Sequence, residues 1–262
     1  MDILVSVIIP CYNHGIYLTE AIESIPFTKI DYGIELIVVN DGSTDTFTLE
    51  KFKEIEQSGH KVIHQENQGL AASRNNGIRA SSGKYIIPLD ADNKLHINYL
   101  TKAVDILHTN PGIDVVYGDA MYFGNENRLW KSRKFIPAKF VHGNFIDACA
   151  IFRKNIWEKV GGYDCHMETP GQEDWEFWTN VFIHGGKFYN LEELCFYYRL
   201  RNDAMHVNIS SENYEANRIY IIKKHADFFA NYFYNNYSTL NYIKQNKIKA
   251  AVNLLLGKIK FH

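Results

Sequence analysis

Residues 85–92 read Tyr-Ile-Ile-Pro-Leu-Asp-Ala-Asp, so a short apolar segment leads directly into two carboxylates separated by one small residue. The apolar residues predict a buried strand. Asp90 and Asp92 would then lie at the carboxyl end of that strand, which is where open α/β sheets bind ligands. A carboxylate there can hold a hydroxyl-rich ligand or a hard divalent cation. Because Asp is also common in ordinary turns, this pattern needs support from the rest of the chain.

Segments with strand and helix patterns alternate through the first half of the chain. The predicted strands are Leu4–Ile9, Glu35–Val39, Lys61–His64, Tyr85–Leu89 and Val115–Tyr117, and apolar residues at helical spacing lie between them. This alternation predicts the α/β class, with a mostly parallel sheet flanked by helices. Three polar turns, at residues 10–15, 40–45 and 90–93, each follow a strand. We therefore expect these turns to meet at one edge of the sheet.

The second half of the chain has a different pattern. A hairpin is predicted around residues 124–127, with further strands at 148–152 and 196–199. Trp175, Trp178, Val181 and Phe182 are spaced as on a helix, which should stop at Gly185. From residue 212 the pattern is helical to the end of the chain.

Composition sets limits on the class of protein. With 262 residues, 46% hydrophobic and 22% charged, the chain should form one large domain or one domain with a small appendage. A net charge of −2 offers no basic field for nucleic acid. The four cysteines form no Cys-x-x-Cys pair, which argues against zinc and thioredoxin-like chemistry and fits a reducing compartment. With no signal-peptide pattern and no spanning run, we expect a cytoplasmic protein, either soluble or resting on a membrane surface.

Other nucleotide-binding classes lack their glycine motifs here. The first strand-to-helix turn, Pro10–Gly15, contains one glycine where a dinucleotide-binding turn has three. Neither a Walker A sequence nor the Gly-x-Ser-x-Gly elbow of α/β-hydrolases occurs. A nucleotide would therefore be held by side chains and metal more than by a glycine cradle.

Five motifs in order resemble those of the family 2 inverting glycosyltransferases, which have the GT-A fold. They are Val5–Asn13 (Val-Ser-Val-Ile-Ile-Pro-Cys-Tyr-Asn), Asn40–Asp45 (Asn-Asp-Gly-Ser-Thr-Asp), Asn67–Asn75 (Asn-Gln-Gly-Leu-Ala-Ala-Ser-Arg-Asn), Asp90-Ala91-Asp92 and Glu173-Asp174. The resemblance covers about residues 4–200 and implies a nucleotide-diphospho-sugar transferase-like domain over 1–210. Its nucleotide-binding half would be 1–117 and its acceptor half 118–210. Residues 211–262 would form a C-terminal helical extension.

The resemblance also implies a sugar nucleotide donor and roles for individual residues. Asp92 would bind Mn²⁺ or Mg²⁺, and Asp90 the ribose or a metal-bound water. Asp41 would accept a hydrogen bond from the base, which favours UDP or dTDP without excluding guanine. Arg74 would lie near the base or the diphosphate. The other expected contacts are Pro10, Tyr12 and Asn13 at the nucleoside and His206 as a second metal ligand, although His206 could equally be an exposed loop histidine.

The acceptor hydroxyl needs a base, and the resemblance gives that role to Asp174, with Glu173 orienting the acceptor or supporting the base. A carboxylate that opens a helix is also a common cap, and the helix would lower its pKa. Burial beside Trp175 and Trp178 would act in the opposite direction. A base opposite the leaving group implies single displacement with inversion.

The C-terminal tail, residues 241–262, contains no acidic residue. Its lysines and apolar residues alternate at helical spacing, which predicts a basic amphipathic helix. This helix could rest on an anionic inner membrane near a lipid-linked acceptor. It could also pack on its own domain or on a second subunit in a homo-oligomer.

Two other functions compete with surface polysaccharide or glycan synthesis. One is a catalytically inactive GT-A protein that binds carbohydrate or acts as a scaffold. Loss of Asp92 or Asp174 would have favoured this alternative, but both residues are present. The other is a nucleotidyltransferase that makes sugar nucleotides. It would need a glycine-rich, basic N-terminal loop, and Pro10–Gly15 has neither property.

Overall fold

The structure, a computed structural model, describes residues 3–28, 31–202, 210–246, 249–250 and 253. Its first half contains β1 (Ile3–Cys11), α1 (Gly15–Glu23), β2 (Gly33–Asp41), α2 (Thr46–Gln57), β3 (Lys61–Gln65), α3 (Leu70–Arg79), β4 (Tyr85–Pro88), β5 (Lys94–Leu95) and α4 (Tyr99–Thr109). The second half contains β6 (Val115–Gly124), β7 (Arg128–Trp130), α5 (Pro137–Phe140), β8 (Ile151–Arg153), α6 (Lys154–Val160), α7 (Glu173–Ile183), β9 (Phe188–Leu200), α8 (Ser211–Lys224) and α9 (Ala226–Gln245). The predicted α/β class and the C-terminal helices are confirmed.

One mixed sheet organises the described residues. Its strand order is β3-β2-β1-β4-β8-β6-β9-β5, and β7 pairs with β6. Strands β3, β2, β1 and β4 are parallel, and β6 and β9 form a second parallel ladder. Between these two groups, β8 runs antiparallel to both neighbours. The turns after β1, β2 and β4 therefore lie at one edge of the sheet, as predicted.

Several strands are longer or shorter than the sequence patterns indicate. β1 continues through Pro10. A proline is tolerated there because the pairing of β1 with β4 ends at Ile8–Pro88, so no neighbouring strand on that side needs the missing N–H. β6 extends to Gly124 and β9 begins at Phe188 because these two strands pair along most of their length. β8 starts only at Ile151. The pairing partners are far apart in sequence, so local periodicity cannot reveal them.

Two apolar cores cover the two faces of the sheet. Val5, Val7 and Ile9 of β1 pack in one core, whereas the alternate residue Ile8 packs in the other. Helix α3 lies very close to β1: a Cβ added to Gly77 would be 2.4 Å from Cγ2 of Ile8. This close approach places the polar residues at the start of α3 beside the carboxyl ends of the strands.

Buried charges attach the last helices to α7. Glu176 of α7 is completely buried, and its Oε1 lies 2.8 Å from both Nζ of Lys224 and Nε2 of His225. Lys224 also contacts Asp164 at 2.6 Å. Ile221 of α8 lies in the same apolar core as the residues of α7. Helix α8 is thus part of the packing around α7 and not a loose appendage.

The variant Lys224→Met is expected to destabilise the protein. It would leave Glu176 and Asp164 without their shared cation, and a buried polar group that loses its partner costs about 1–3 kcal/mol. Lys223→Met is the matched control, because Lys223 is the exposed neighbour on the same helix. Urea unfolding measures both variants. Equal midpoints for Lys224→Met and the control would show that the buried charges do not secure α8.

Candidate active site

Arg74 joins three parts of the chain that are distant in sequence. Its side chain is 1% exposed; Nη1 donates to Oε1 of Glu173 at 2.5 Å, and Nη2 donates to Oδ1 of Asp90 at 2.9 Å. Burial acts to lower the pKa of Arg74, but the charges of Asp90 and Glu173 more than offset it, and the pKa lies above its ordinary value. A permanent positive charge therefore lies between the end of β4 and the start of α7. We call these three side chains the Arg74 bridge.

The two carboxylates that follow β4 have different partners. Asp90 binds Arg74, and its side chain is 31% exposed. Asp92 is less exposed, at 14%, and its Oδ2 lies 3.1 Å from Nε of Arg201. Burial raises the pKa of Asp92, and the neighbouring charge of Asp90 raises it further. Arg201 also lies 3.2 Å from Nε2 of His14. Arg201 therefore links the end of β4 to the loop after β1.

Asp174 lies in the first turn of α7, next to the Arg74 bridge. Its Oδ1 accepts a hydrogen bond from the Trp175 N–H at 2.7 Å, and its Oδ2 accepts one from Nδ2 of Asn144 at 2.8 Å. Burial raises the pKa of Asp174 well above its ordinary value, and the charges of Glu173 and Asp147 raise it further. Desolvation thus outweighs the lowering expected from the helix start. A carboxylate with a raised pKa is a stronger base.

Helix α8 holds the segment that leads into α7. Gln172 has a φ of 62°, a left-handed conformation that costs a residue with a Cβ about 1 kcal/mol or more. Asn217 of α8 is buried, and its Nδ2 donates to the carbonyls of Pro170 at 3.4 Å and Gly171 at 2.8 Å. Thr169 also hydrogen-bonds Asn217. These contacts fix the backbone just before Glu173 and Asp174.

The loops after β1 and β2 are tied together by Asn13. Its backbone N–H donates to Oγ of Ser43 at 3.0 Å, and its Oδ1 accepts from the Thr44 N–H at 2.7 Å. Asp41 is 5% exposed and accepts hydrogen bonds from the backbone N–H groups of Gln68 and Gly69 at 2.8 and 2.9 Å. In the structure, Asn13 and Asp41 thus hold the loops in place. Their predicted contacts with a nucleoside stay predictions.

Two residues that the sequence motifs do not mark lie beside Asp174. One is Asn144, and the other is Asp147, whose Oδ1 accepts from the Cys149 N–H at 2.9 Å. Burial raises the pKa of Asp147 to about 7, with a further contribution from the charge of Asp90. Neither residue belongs to a recognisable motif. Both residues lie in the loop before β8, and the folding of this loop against α7 places them beside Asp174.

The described residues that are predicted to bind metal do not form a complete metal site by themselves. Within the described ranges, no three His, Cys, Asp or Glu side chains converge as a metal site. His206 lies outside the described residues. Asp92 and Asp90 nevertheless form a pair of carboxylates at one sheet edge, and Mg²⁺ and Mn²⁺ commonly take one or two carboxylates and complete their coordination with phosphate oxygens. Both carboxylates also contact arginines, Asp90 with Arg74 and Asp92 with Arg201, so they would hold a cation only jointly with a diphosphate.

Comparison with known proteins decides the family. The profile of Glycosyl transferase family 2 matches residues 6–188. The chain belongs to this family. That stretch contains every strand of the sheet except β9 and the opening residues of β1, and it includes the Arg74 bridge and Asp174.

Relatives with curated descriptions include a glycosyltransferase and a teichoic acid biosynthesis protein. Glycosyltransferase GlyA of Streptococcus pneumoniae serotype 4 is 39% identical over 102 residues, which are 38% of this chain and 14% of GlyA. Minor teichoic acid biosynthesis protein GgaB of Bacillus subtilis is 29% identical over 245 residues, which are 84% of this chain and 27% of GgaB. This family 2 chain therefore spans only part of the length of these relatives.

Solved structures confirm the GT-A fold. S. aureus TarS 1-349 in complex with UDP-GlcNAc has a TM-score of 0.65 and 19% identity, covering 82% of this chain and 64% of the TarS chain. The mannosyltransferase PcManGT from Pyrobaculum calidifontis, in complex with GDP-Man and Mn²⁺, has a TM-score of 0.59 and 20% identity. The match covers 79% of this family 2 chain and 59% of the PcManGT chain.

Proposed function

We propose that this chain is an inverting glycosyltransferase, with UDP-sugars as the favoured donors. The acceptor would be a saccharide or lipid-linked saccharide in surface polysaccharide or glycan synthesis. The observation that carries the proposal is the Arg74 bridge. Its one buried guanidinium binds both Asp90, which would lie on the donor side, and Glu173, which would lie on the acceptor side. Asp174 follows Glu173 directly. A donor site and a base are thereby fixed to each other.

The donor would lie across the carboxyl ends of β1, β2 and β4. Pro10, Tyr12, Asn13 and Asp41 would contact the nucleoside, and Asp90 the ribose. Tyr12 is 47% exposed at this edge and can offer its ring to a base or sugar. UDP-GlcNAc in the TarS complex and GDP-Man in the PcManGT complex support a nucleotide-sugar donor of this kind. Arg74, always protonated, would lie next to the diphosphate.

The reaction would be a single displacement at the anomeric carbon. Asp174 accepts the proton of an acceptor hydroxyl while that oxygen forms a bond to the anomeric carbon. The bond from this carbon to the diphosphate oxygen breaks on the opposite side, and its electron pair leaves with the nucleoside diphosphate. Inversion follows from attack opposite the leaving group. Glu173, fixed by Arg74, would keep the start of α7 in place.

A divalent cation would neutralise the negative charge that develops on the leaving diphosphate. Asp92 would bind it most directly, with Asp90 nearby. Arg201 forms an ion pair with Asp92 and places a further positive charge at the same edge of the sheet. His206 remains a predicted ligand.

Turnover is expected to stop in EDTA and to return when Mn²⁺ or Mg²⁺ is added. The reason is that Asp92 and Asp90 supply few protein ligands, so a chelator should remove the cation easily. The release of nucleoside diphosphate measures this. Full activity in EDTA would remove the metal from the proposal.

Membrane contact is proposed for the C-terminal segment. Residues 241–262 lie mostly outside the described residues, but α9 has exposed apolar side chains at Phe233, Tyr237 and Leu240, which are 49%, 64% and 57% exposed. These positions share one helix face and precede a lysine-rich, acid-free segment, a combination that suits an anionic lipid surface. Among the described helices, none is long and apolar enough to span a bilayer.

The full chain is expected to float with vesicles that contain phosphatidylglycerol, whereas a form ending at Ser238 should remain at the bottom of the gradient. Lysines near an anionic surface contribute about 1 kcal/mol each, so removal of the tail should abolish binding. Vesicles of phosphatidylcholine alone are the control. Equal flotation of both forms would exclude the tail as the contact. Concentration-dependent dimers without flotation would favour a second subunit.

Transferase activity itself is tested by nucleoside diphosphate release across a panel of UDP-, dTDP- and GDP-sugars. We expect release with at least one UDP-sugar, and faster release when the correct saccharide acceptor is present. Tight donor binding without turnover on any acceptor would instead favour the inactive, carbohydrate-binding alternative. Failure of the chain to bind any sugar nucleotide would contradict the proposed function.

A further inference from the structure

A cavity of about 240 Å³ opens beside Asp174. Its walls come from β6, β7, β9 and the turn of chain before β8. Its lining includes Tyr122, Trp130, Asn144, Asp147, Asp174 and Tyr198. An apolar cavity of about 150 Å³ holds a benzene molecule. The space here is thus suited to one six-membered ring that carries polar substituents.

One wall of the cavity is aromatic. The rings of Tyr122 and Trp130 are nearly parallel, with an interplanar angle of 15° and centroids 6.5 Å apart. Tyr198 meets Tyr122 edge-on at 5.6 Å. These three residues lie on neighbouring strands, so the rings form a fixed surface. The electron-rich face of an aromatic ring attracts the weakly positive C–H groups on the flat side of a pyranose.

Other residues of the lining carry hydrogen-bonding groups. Asp174 holds Asn144 with one carboxylate oxygen and the Trp175 N–H with the other. Asp147 binds the Cys149 N–H through Oδ1, while the same side chain lines the cavity. Two carboxylates and an amide that converge on a space with an aromatic wall match the hydroxyls and the faces of a sugar.

We propose that this cavity is the acceptor subsite and that it holds one pyranose ring between Trp130 and Asp147. The ring would stack on Trp130, Asp147 would accept a hydrogen bond from one hydroxyl, and a second hydroxyl would face Asp174. The inference rests on the proposed function and adds to it the place where one ring of the acceptor binds and two residues that select it. Trp130 and Asp147 lie outside the five sequence motifs.

The cavity contains a second carboxylate, Asp147, besides the proposed base Asp174, and its position gives it a different role. Its charge acts on Asp174, for which Asp147 is one of the neighbours that raise the pKa. A hydroxyl that donates to Asp147 would fix the ring orientation, and with it the hydroxyl that reaches Asp174. Asp147 therefore selects which hydroxyl reacts, and Asp174 removes its proton.

Saturation-transfer NMR on the full chain in the presence of UDP tests the inference. The probes are the methyl pyranosides of glucose, galactose and N-acetylglucosamine. We expect at least one to bind, and Trp130→Leu and Asp147→Ala each to weaken its affinity about tenfold, the size expected for one lost stacking contact or hydrogen bond. Trp130→Phe should retain most of the affinity, because it keeps an aromatic face. The Kd for UDP should not change in any variant.

The matched control is Tyr189→Leu, which removes an exposed aromatic from the same strand as Tyr198 but outside the cavity lining. Equal pyranoside affinity in wild type and Trp130→Leu would overturn the subsite. UDP binding with no response from any pyranoside would overturn the pyranose class and leave the proposed function standing. Absence of binding by UDP, dTDP and GDP alike would contradict the proposed function, and the subsite with it. Circular dichroism confirms that each variant is folded.

Discussion

Asp174→Asn is expected to lower the turnover number by about 10²–10⁴-fold, the usual contribution of a general base, and to leave donor binding within a few fold of wild type. The side chain keeps its size but cannot take the acceptor proton. Its pKa in the wild type is raised by burial and by Glu173 and Asp147, so the carboxylate that is lost is a comparatively strong base. An asparagine can still satisfy one of the two N–H donors that contact Asp174.

Asp227→Asn is the control for this experiment, because Asp227 is an exposed acid in the first turn of another helix. Single-turnover measurements separate the chemical step from donor binding. If Asp174→Asn transfers sugar as fast as the control, Asp174 is not the base. If it loses UDP binding to the same extent as turnover, the residue acts on the donor and not on the acceptor.

Arg74→Gln is expected to lower the free energy of unfolding by about 3–5 kcal/mol, the usual effect of removing one partner from a buried ion pair. Glu173 and Asp90 would both lose their cation. Transfer should be lost as well, since the start of α7 would no longer be fixed to the end of β4. Arg74→Lys should recover little, because an ammonium on a flexible stem cannot reproduce the two-pronged contact.

Arg79→Gln provides the control, since Arg79 is exposed at the end of the same helix. Urea unfolding and nucleoside diphosphate release are measured on all three variants. Stability and activity of Arg74→Lys close to wild type would show that a positive charge suffices and that the bridge geometry is unimportant. Unchanged stability of Arg74→Gln would contradict the structural role of the bridge.

The part of the fold that the sequence predicts is the part with local signals. The strands at residues 85–88 and 35–39 are apolar runs bounded by turns, and the polar turns behind them are marked by Asn, Asp and Gly. Strand β9 is different, because most of its 13 residues are ordered by pairing with β6. The local pattern at residues 196–199 therefore predicted only the last third of the strand.

The same distinction holds for the site. Asp90, Asp92, Glu173 and Asp174 stand in recognisable motifs, but nothing in those motifs shows that Arg74 ties the first pair to the second. That contact spans 99 residues and depends on the close packing of α3 on β1. Asn217 and Lys224 act on α7 from a helix that the family resemblance does not explain. Asp147 shows its chemical character only through burial, which a sequence does not report.

The most direct test of the central claim follows the reaction by NMR, with an α-linked UDP-sugar from the panel and its acceptor. The anomeric proton of the product and the release of UDP are recorded together. We expect one UDP for each new glycosidic bond, and a β configuration in the product, because the proposed base, Asp174, would activate the acceptor for attack opposite the leaving group. An α-linked product would contradict single displacement by this site.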